Sequence, residues 1–367
     1  AQLSRGLGDV YKRQILFQFI SVHFNYTGLV SNITGGEFVF NESYTYPYFS
    51  DEWVAVYAAE HSIENNTLPW SKFFFEKPET NFFLIFHSFI GGQLLFFDLD
   101  PLTNYVYLGI FFGFITAALI FVLLRSLGVS TVIASITMLL VPFVTNSANL
   151  PMLWYLLPWN IGFIFLLLSF VFMINGRFWI ALIANIVSAS FYPPMVVFSL
   201  PALLLFIWKG DIKDKIPSRK TLSLTYFFAI IVAPIIFIFS TSFVVGNSPF
   251  RLFVRAFNLL VRELNSLYHM SPSIPIWVVI PIIAIPFAFY GIWFARKKLY
   301  FVIVPVIIGL GLWIFYSFAH ITLVIDFHRT VSITSLILMI FAGIGFQAFY
   351  SFTKKRYRDC LLYTSDA

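Results

Sequence analysis

Charge is what this chain has least of. Only 11% of its 367 residues are Asp, Glu, Lys or Arg, 59% are hydrophobic, and mean hydropathy is +0.84. A soluble domain of this length cannot carry so little charge, so that class is excluded. Cysteine is almost missing: Cys360 is the only one and lies in the final residues, so thiols say nothing about the redox compartment. No HExxH and no paired cysteines occur, and the histidines are too scattered for a metal site. No Walker or dinucleotide glycine pattern is present, which argues against a cytoplasmic nucleotide engine. The net charge of +6 is no nucleic-acid signal, because the basic residues mark the ends of apolar runs instead of forming a stripe.

What is present is a succession of apolar runs of membrane-spanning length, with 47 phenylalanines suited to lipid-facing helices. The fold class read from this is all-α, a polytopic membrane protein. Residues 1–14, which include LGDVYKRQ, and 360–367, CLLYTSDA, resemble translated sequencing-adapter sequence and are set apart. Residues 15–352 then form one transmembrane domain and 353–359 a basic cytoplasmic end.

The runs are 15–30, 101–124, 131–147, 153–174, 178–208, 221–245, 275–295, 300–323 and 331–352. Arg125, Arg177, the KGDIKDKIPSRK loop at 209–220, Arg296-Lys297-Lys298 and Lys354 to Arg358 mark the ends of several. These clusters share the cytoplasmic side only if the borderline run 81–97 lies in the interface, as the positive-inside rule favours. Run 178–208 has a basic residue at both ends, so it crosses an even number of times, and FYPPM at 191–195 supplies the break. About ten spans result, with the N-terminus inside and a first extracytoplasmic loop over about 31–100. Acidic residues of the domain then fall almost entirely outside, so any chemistry faces the extracytoplasmic side. Sequons at Asn25, Asn32, Asn41 and Asn65 lie at or in that loop.

Four groups of residues have the makings of chemistry. Asp51-Glu52 opens a helix predicted to follow Ser50 and run to about Asn65, with Trp53, Val56, Ala59 and Ile63 on one face, as in a helix lying on the membrane surface. A carboxylate held ionised by the helix dipole can serve as a general base on a hydroxyl; equally, acids at these positions cap helices. Glu76-Lys77, within Phe75-Glu76-Lys77-Pro78, offers a lysine to a lipid phosphate, or a snorkelling lysine paired with its neighbour. Over Phe250 to Leu267, Arg251, Arg255, Asn258 and Arg262 share a stripe opposite Phe253, Phe257, Leu260 and Leu264. Such a surface helix presents arginines to headgroups or to a phosphorylated lipid substrate, and generic anchoring explains it as well. Asp326-Phe327-His328-Arg329 is a charged knot in the last outside loop, a functional candidate or an ion pair closing a turn.

Together these features resemble the polytopic glycosyltransferases of the GT-C superfamily, and most closely the group of protein O-mannosyltransferases and lipid A aminoarabinose transferases. In that group an Asp-Glu pair opens a juxtamembrane helix in the first extracytoplasmic loop, matched by Asp51-Glu52. A Phe-Glu-Lys-Pro motif follows, matched by Phe75 to Pro78, and then a second interfacial helix, matched by 81–97. LPMLWYLLP at 150–158, FYPPM, and the stretch from Arg329 to AGIG at 342–345 are similar in placement. The resemblance implies transfer of a sugar from a polyprenyl-phosphate carrier to a protein, lipid or glycan acceptor, with inversion. It makes Asp51 the base, Lys77 the phosphate contact, and requires no cofactor, a divalent metal being the one open question. Glu52, Glu76, Arg251, Arg255, Arg262, His328 and Arg329 complete the candidate set, at a multi-pass cell-membrane protein whose site is extracytoplasmic. Many relatives carry a second acid in the second outside loop; here Thr145-Asn146-Ser147-Ala148-Asn149 holds none. Two rivals remain, a transporter or flippase of a lipid-linked substrate, and a non-catalytic subunit of an envelope glycan pathway. The near absence of charge at mid-depth ranks transport below transfer.

Overall fold

The computed structural model describes residues 50–65, 71–74, 77–80, 83–144, 156–228, 232, 261–263, 280–319, 321–323, 325 and 327–365. The expected first run at 15–30, the sequons at Asn25, Asn32 and Asn41, and residues 145–149, Glu76, Arg251, Arg255 and Asp326 lie outside them. The described architecture is predominantly helical. Its helices are α1 (Ser50–Asn65), α2 (Leu84–Phe96), α3 (Pro101–Ser126), α4 (Thr131–Leu140), α5 (Pro158–Ile174), α6 (Phe178–Phe191), α7 (Val196–Lys209), α8 (219–228), α9 (Ala284–Ala295), α10 (Tyr300–Ala319) and α11 (Phe327–Ser365). Two short antiparallel ladders accompany them: β1 (Ser71–Phe74) with β2 (Lys77–Thr80), and β3 (Val261–Glu263) with β4 (Ile321–Leu323).

Three helices, α3, α10 and α11, are long and apolar enough to cross a membrane; α2, α4 to α7 and α9 are shorter apolar helices. The chain is therefore an α-helical membrane protein by length and composition. At 26 residues α3 extends about 39 Å against a hydrocarbon core of about 30 Å. Its start is set locally. Asp100 Oδ2 accepts from the Thr103 amide at 2.9 Å and from its hydroxyl at 2.6 Å, and Pro101 occupies the first helical position, where a missing N–H costs nothing. By contrast α2, with 13 residues, reaches only about 20 Å, and α4, α6, α7 and α9, with 10, 14, 14 and 12, are as short, so length does not set it apart from them.

The 178–208 run breaks where FYPPM predicts. Tyr192 is extended, Pro193–Met195 form a 3-10 turn, and α7 resumes at Val196. At the far end of this pair the turn at Gly176 (φ 76°) packs on the polar loop: Lys213 N–H donates to its carbonyl at 3.0 Å, and Arg177 pairs with Asp214 at 3.5 Å. Phe206 meets Phe301 at 5.6 Å, so α10 starts at this same end, and Ser130 N–H donates to Gln347 Oε1 at 2.8 Å, bringing the turn after Arg125 to the later part of α11. We refer to it as the basic end.

Most of the span of α11 is buried, and its neighbours come close wherever a glycine lets them. Gly343 faces Leu124 and Thr137, and Gly309 faces Thr334. The tightest crossing is with α9, where a Cβ on Gly291 would overlap the Phe341 carbonyl and one on Gly345 the Phe287 carbonyl.

Two expectations are corrected here. The stripe containing Arg262 is not helical at that residue: Val261, Arg262 and Glu263 pair with Leu323, Thr322 and Ile321. The ladder's β-branched members favour an extended backbone, and pairing satisfies their amides. The knot Asp326 to Arg329 is not all loop either, because α11 begins at Phe327 and puts His328 and Arg329 in its first turn. That helix also continues to Ser365, past the boundaries expected at 352 and 359.

Candidate functional site

Opposite the basic end, α1 meets the bundle. Asp51 and Glu52 lie in its first turn, where unpaired amides and the helix dipole favour negative charge. The helix does not rest on a single apolar stripe as expected of a surface helix. Glu52, Val54, Ala55, Val56, Ala58 and Ala59 are all buried, and Gly91 of α2 lies 3.5 Å from the Ala59 Cα when given a Cβ. So α1 is packed into the bundle between α2, α3 and the start of α5.

Glu52 is the polar centre of that contact. It is 1% exposed, and its Oε1 accepts from the Leu156 amide at 3.1 Å. The Leu156 carbonyl in turn accepts from the hydroxyl of fully buried Tyr105 on α3. The reason lies in the local backbone. Leu157 is extended (φ −121°, ψ 162°) ahead of Pro158, so the residues entering α5 have no helical partners for their amides. Side chains take over: Glu52 serves Leu156, and Asn160 Oδ1 accepts from Leu157 N–H at 2.9 Å.

A second polar group lies at the α6–α7 break. The Arg329 guanidinium sits 5.6 Å from the centre of the Tyr192 ring, and its Nη1 donates to the Tyr192 hydroxyl at 3.4 Å. Phe83 stacks on the other partner's ring, 6.1 Å from Tyr192 and 19° from parallel. Tyr316 O–H donates to the Ile325 carbonyl at 2.8 Å, pinning the entry to α11, and Ser332 O–H donates to the His328 carbonyl at 2.5 Å. The two groups are joined through the α5–α6 crossing. There Ser188 O–H donates to the Gly162 carbonyl at 2.6 Å, and a Cβ on Gly162 would stand 3.1 Å from the Tyr192 Cβ.

Of the candidates, Glu52, His328 and Arg329 therefore reach one end of the bundle, Glu52 on α1 and the other two on α11. Asp51 is in the same turn as Glu52, and Lys77 is the first residue of β2, opposite Phe74. Arg262 belongs to the β3–β4 ladder instead. Tyr105, Tyr192 and Phe83 were not anticipated. Tyr192 had a signal, standing directly before the Pro-Pro that breaks the run; Tyr105 had none, being one aromatic within a long apolar helix.

Electrostatically the α1 end is acidic. Burial holds the Glu60 carboxyl above its ordinary value, and Asp100 and Glu64 add to the effect by repulsion. Among the described residues no three His, Cys, Asp or Glu side chains group as metal ligands. No protein-family model matches this sequence, and no curated protein matches it.

Proposed function

We propose that this chain is an integral-membrane glycosyltransferase of about ten spans that moves a sugar from a polyprenyl-phosphate carrier to an extracytoplasmic hydroxyl. The observation that supports the reading is that an acidic pair opening α1 and a guanidinium at the start of α11 lie at the same end of the bundle. One group suits proton removal and the other an anionic leaving group.

In this reading the donor enters laterally from the bilayer. Its phosphate is neutralised by Lys77 and Arg329, with Glu76, His328, Arg251, Arg255 and Arg262 as further contacts. Asp51 takes the proton of the acceptor hydroxyl, whose oxygen attacks the anomeric carbon. The bond from that carbon to the phosphate oxygen breaks on the opposite face, and polyprenyl phosphate departs with the electron pair, inverting the configuration. Glu52, already committed to the Leu156 amide, positions the first turn of α1.

The test is transfer of labelled sugar from polyprenyl-phosphate donors in membranes carrying the full chain, wild type beside Asp51→Asn. Loss of a general base is expected to cost about 10²- to 10⁴-fold in rate. Equal transfer by both proteins would remove Asp51 from the mechanism.

A further inference from the structure

At the basic end, α7 and α8 enclose an outward-facing groove of 360 Å³ lined by Leu204, Trp208, Lys220, Ser223, Leu224 and Phe227. We propose that it holds one acyl chain of an anionic glycerophospholipid, with the lipid phosphate at Lys220 and Lys209. This inference does not depend on the transferase reading.

The groove is fixed by its own polar contacts. Arg219 Nη1 donates to the Trp208 carbonyl at 2.7 Å and Nη2 to the Gly210 carbonyl at 3.3 Å, binding the last turn of α7 to the first of α8. Ser218 Oγ accepts from the Thr221 amide at 3.1 Å and caps α8. Below this clasp the walls are apolar and face away from the bundle: Trp208 is 63% exposed, Leu224 60% and Phe227 43%. From Lys220 to Phe227 the slot descends seven residues, about 10 Å, against about 15 Å for the hydrocarbon of one leaflet.

Apolar walls alone would accept any lipid; the charge at the mouth selects. Between residues 209 and 220 there are five cations, Lys209, Lys213, Lys215, Arg219 and Lys220, against Asp211 and Asp214. Asp214 is already occupied by Arg177 and by the Trp179 amide. Lys209 and Lys220 are exposed at the rim, level with Trp208, whose indole suits the headgroup boundary.

Trp208 provides the reporter. The full-length protein is placed in phosphatidylcholine nanodiscs doped with bromo-acyl phosphatidylglycerol or bromo-acyl phosphatidylcholine, and quenching is read as the difference between wild type and Trp208→Phe. The glycerol lipid is expected to quench the Trp208 signal several-fold more strongly, and the pair Lys209→Gln with Lys220→Gln to abolish the preference, by about fivefold per basic residue. Ser223→Phe, which fills the groove, is expected to weaken quenching by both lipids. Equal quenching by the two lipids overturns the proposal. So does a preference that survives the lysine substitutions, and so does polyprenyl phosphate displacing phosphatidylglycerol more effectively than unlabelled phosphatidylglycerol does. Elution of each variant as a single species distinguishes loss of the site from loss of the fold.

Discussion

Between α9 and α11 the closest approach is backbone on backbone: Gly291 and Gly345 lie where any Cβ would strike the opposing carbonyl, and Phe287 stacks on Phe346 beside them at 3.9 Å. Between α1 and α5 the contact is a side chain spanning the gap, Glu52 reaching the Leu156 amide, with Tyr105 on the carbonyl of the same residue. The difference follows from what each backbone has already satisfied. Helices α9 and α11 bond internally, so in lipid they gain by packing close, since burial from lipid offers no hydrophobic advantage. The residues entering α5 are extended and buried, and their polar groups must be met from outside or stay unmet. One region is held by glycines that let two backbones meet, the other by polar side chains that bridge a gap.

Filling the glycine crossing is expected to cost most. Gly345→Leu drives a side chain into the Phe287 carbonyl, which cannot rotate away, so destabilisation of about 3 kcal/mol or more follows. The measurement is thermal unfolding in detergent, with Gly311→Leu alongside. Nothing lies within 4 Å of a Cβ on Gly311, so that variant should melt near wild type. A Gly345→Leu protein as stable as Gly311→Leu would mean that α9 and α11 do not meet through their glycines.

At the α1 junction the expected losses are smaller and graded. Glu52→Ala takes the carboxylate from a buried amide and should cost about 1–3 kcal/mol, whereas Glu52→Gln retains an acceptor and should cost less. Tyr105→Phe removes one donor from the Leu156 carbonyl, for about 1 kcal/mol. Because both act on Leu156, the double variant Glu52→Ala with Tyr105→Phe should fall short of additivity. Strict additivity in the same melting experiment would show that the two contacts are independent.

The contrast also explains what could be read in advance. The start of α3 was legible because Asp100, Pro101 and Thr103 specify it among themselves, and the α6–α7 break because two prolines impose it. The first turn of α1 was legible for the same local reason. Arg262 misled because three arginines and an asparagine at helical spacing make a pattern, while the strand depends on Ile321–Leu323, far along the chain. The burial of Glu52 was hidden because its partner is a backbone amide, which every residue but proline possesses. The glycine crossing was equally silent: in an apolar run, glycine marks close approach only once the neighbour is known.

Glu60, on the same helix as Glu52 but only partly buried, provides the gentlest probe of the polar region. Burial raises its carboxyl above the ordinary value of 4.5, with Asp100 and then Glu64 contributing. The folded chain thus holds this proton more tightly than the unfolded chain, so ionisation favours unfolding. Its contribution is most favourable below pH 4.5 and is lost as pH rises through the raised value. The group is only half-buried, so solvent limits the effect to less than about 1 kcal/mol. Glu60→Gln should match wild type in acid and become slightly more stable near neutrality, in melting curves taken at several pH values. Asp100→Asn should show part of the same gain, because asparagine can still cap α3 while shedding the repelling charge. A difference between Glu60→Gln and wild type that did not change with pH would trace the effect to packing and remove charge from the account of this face.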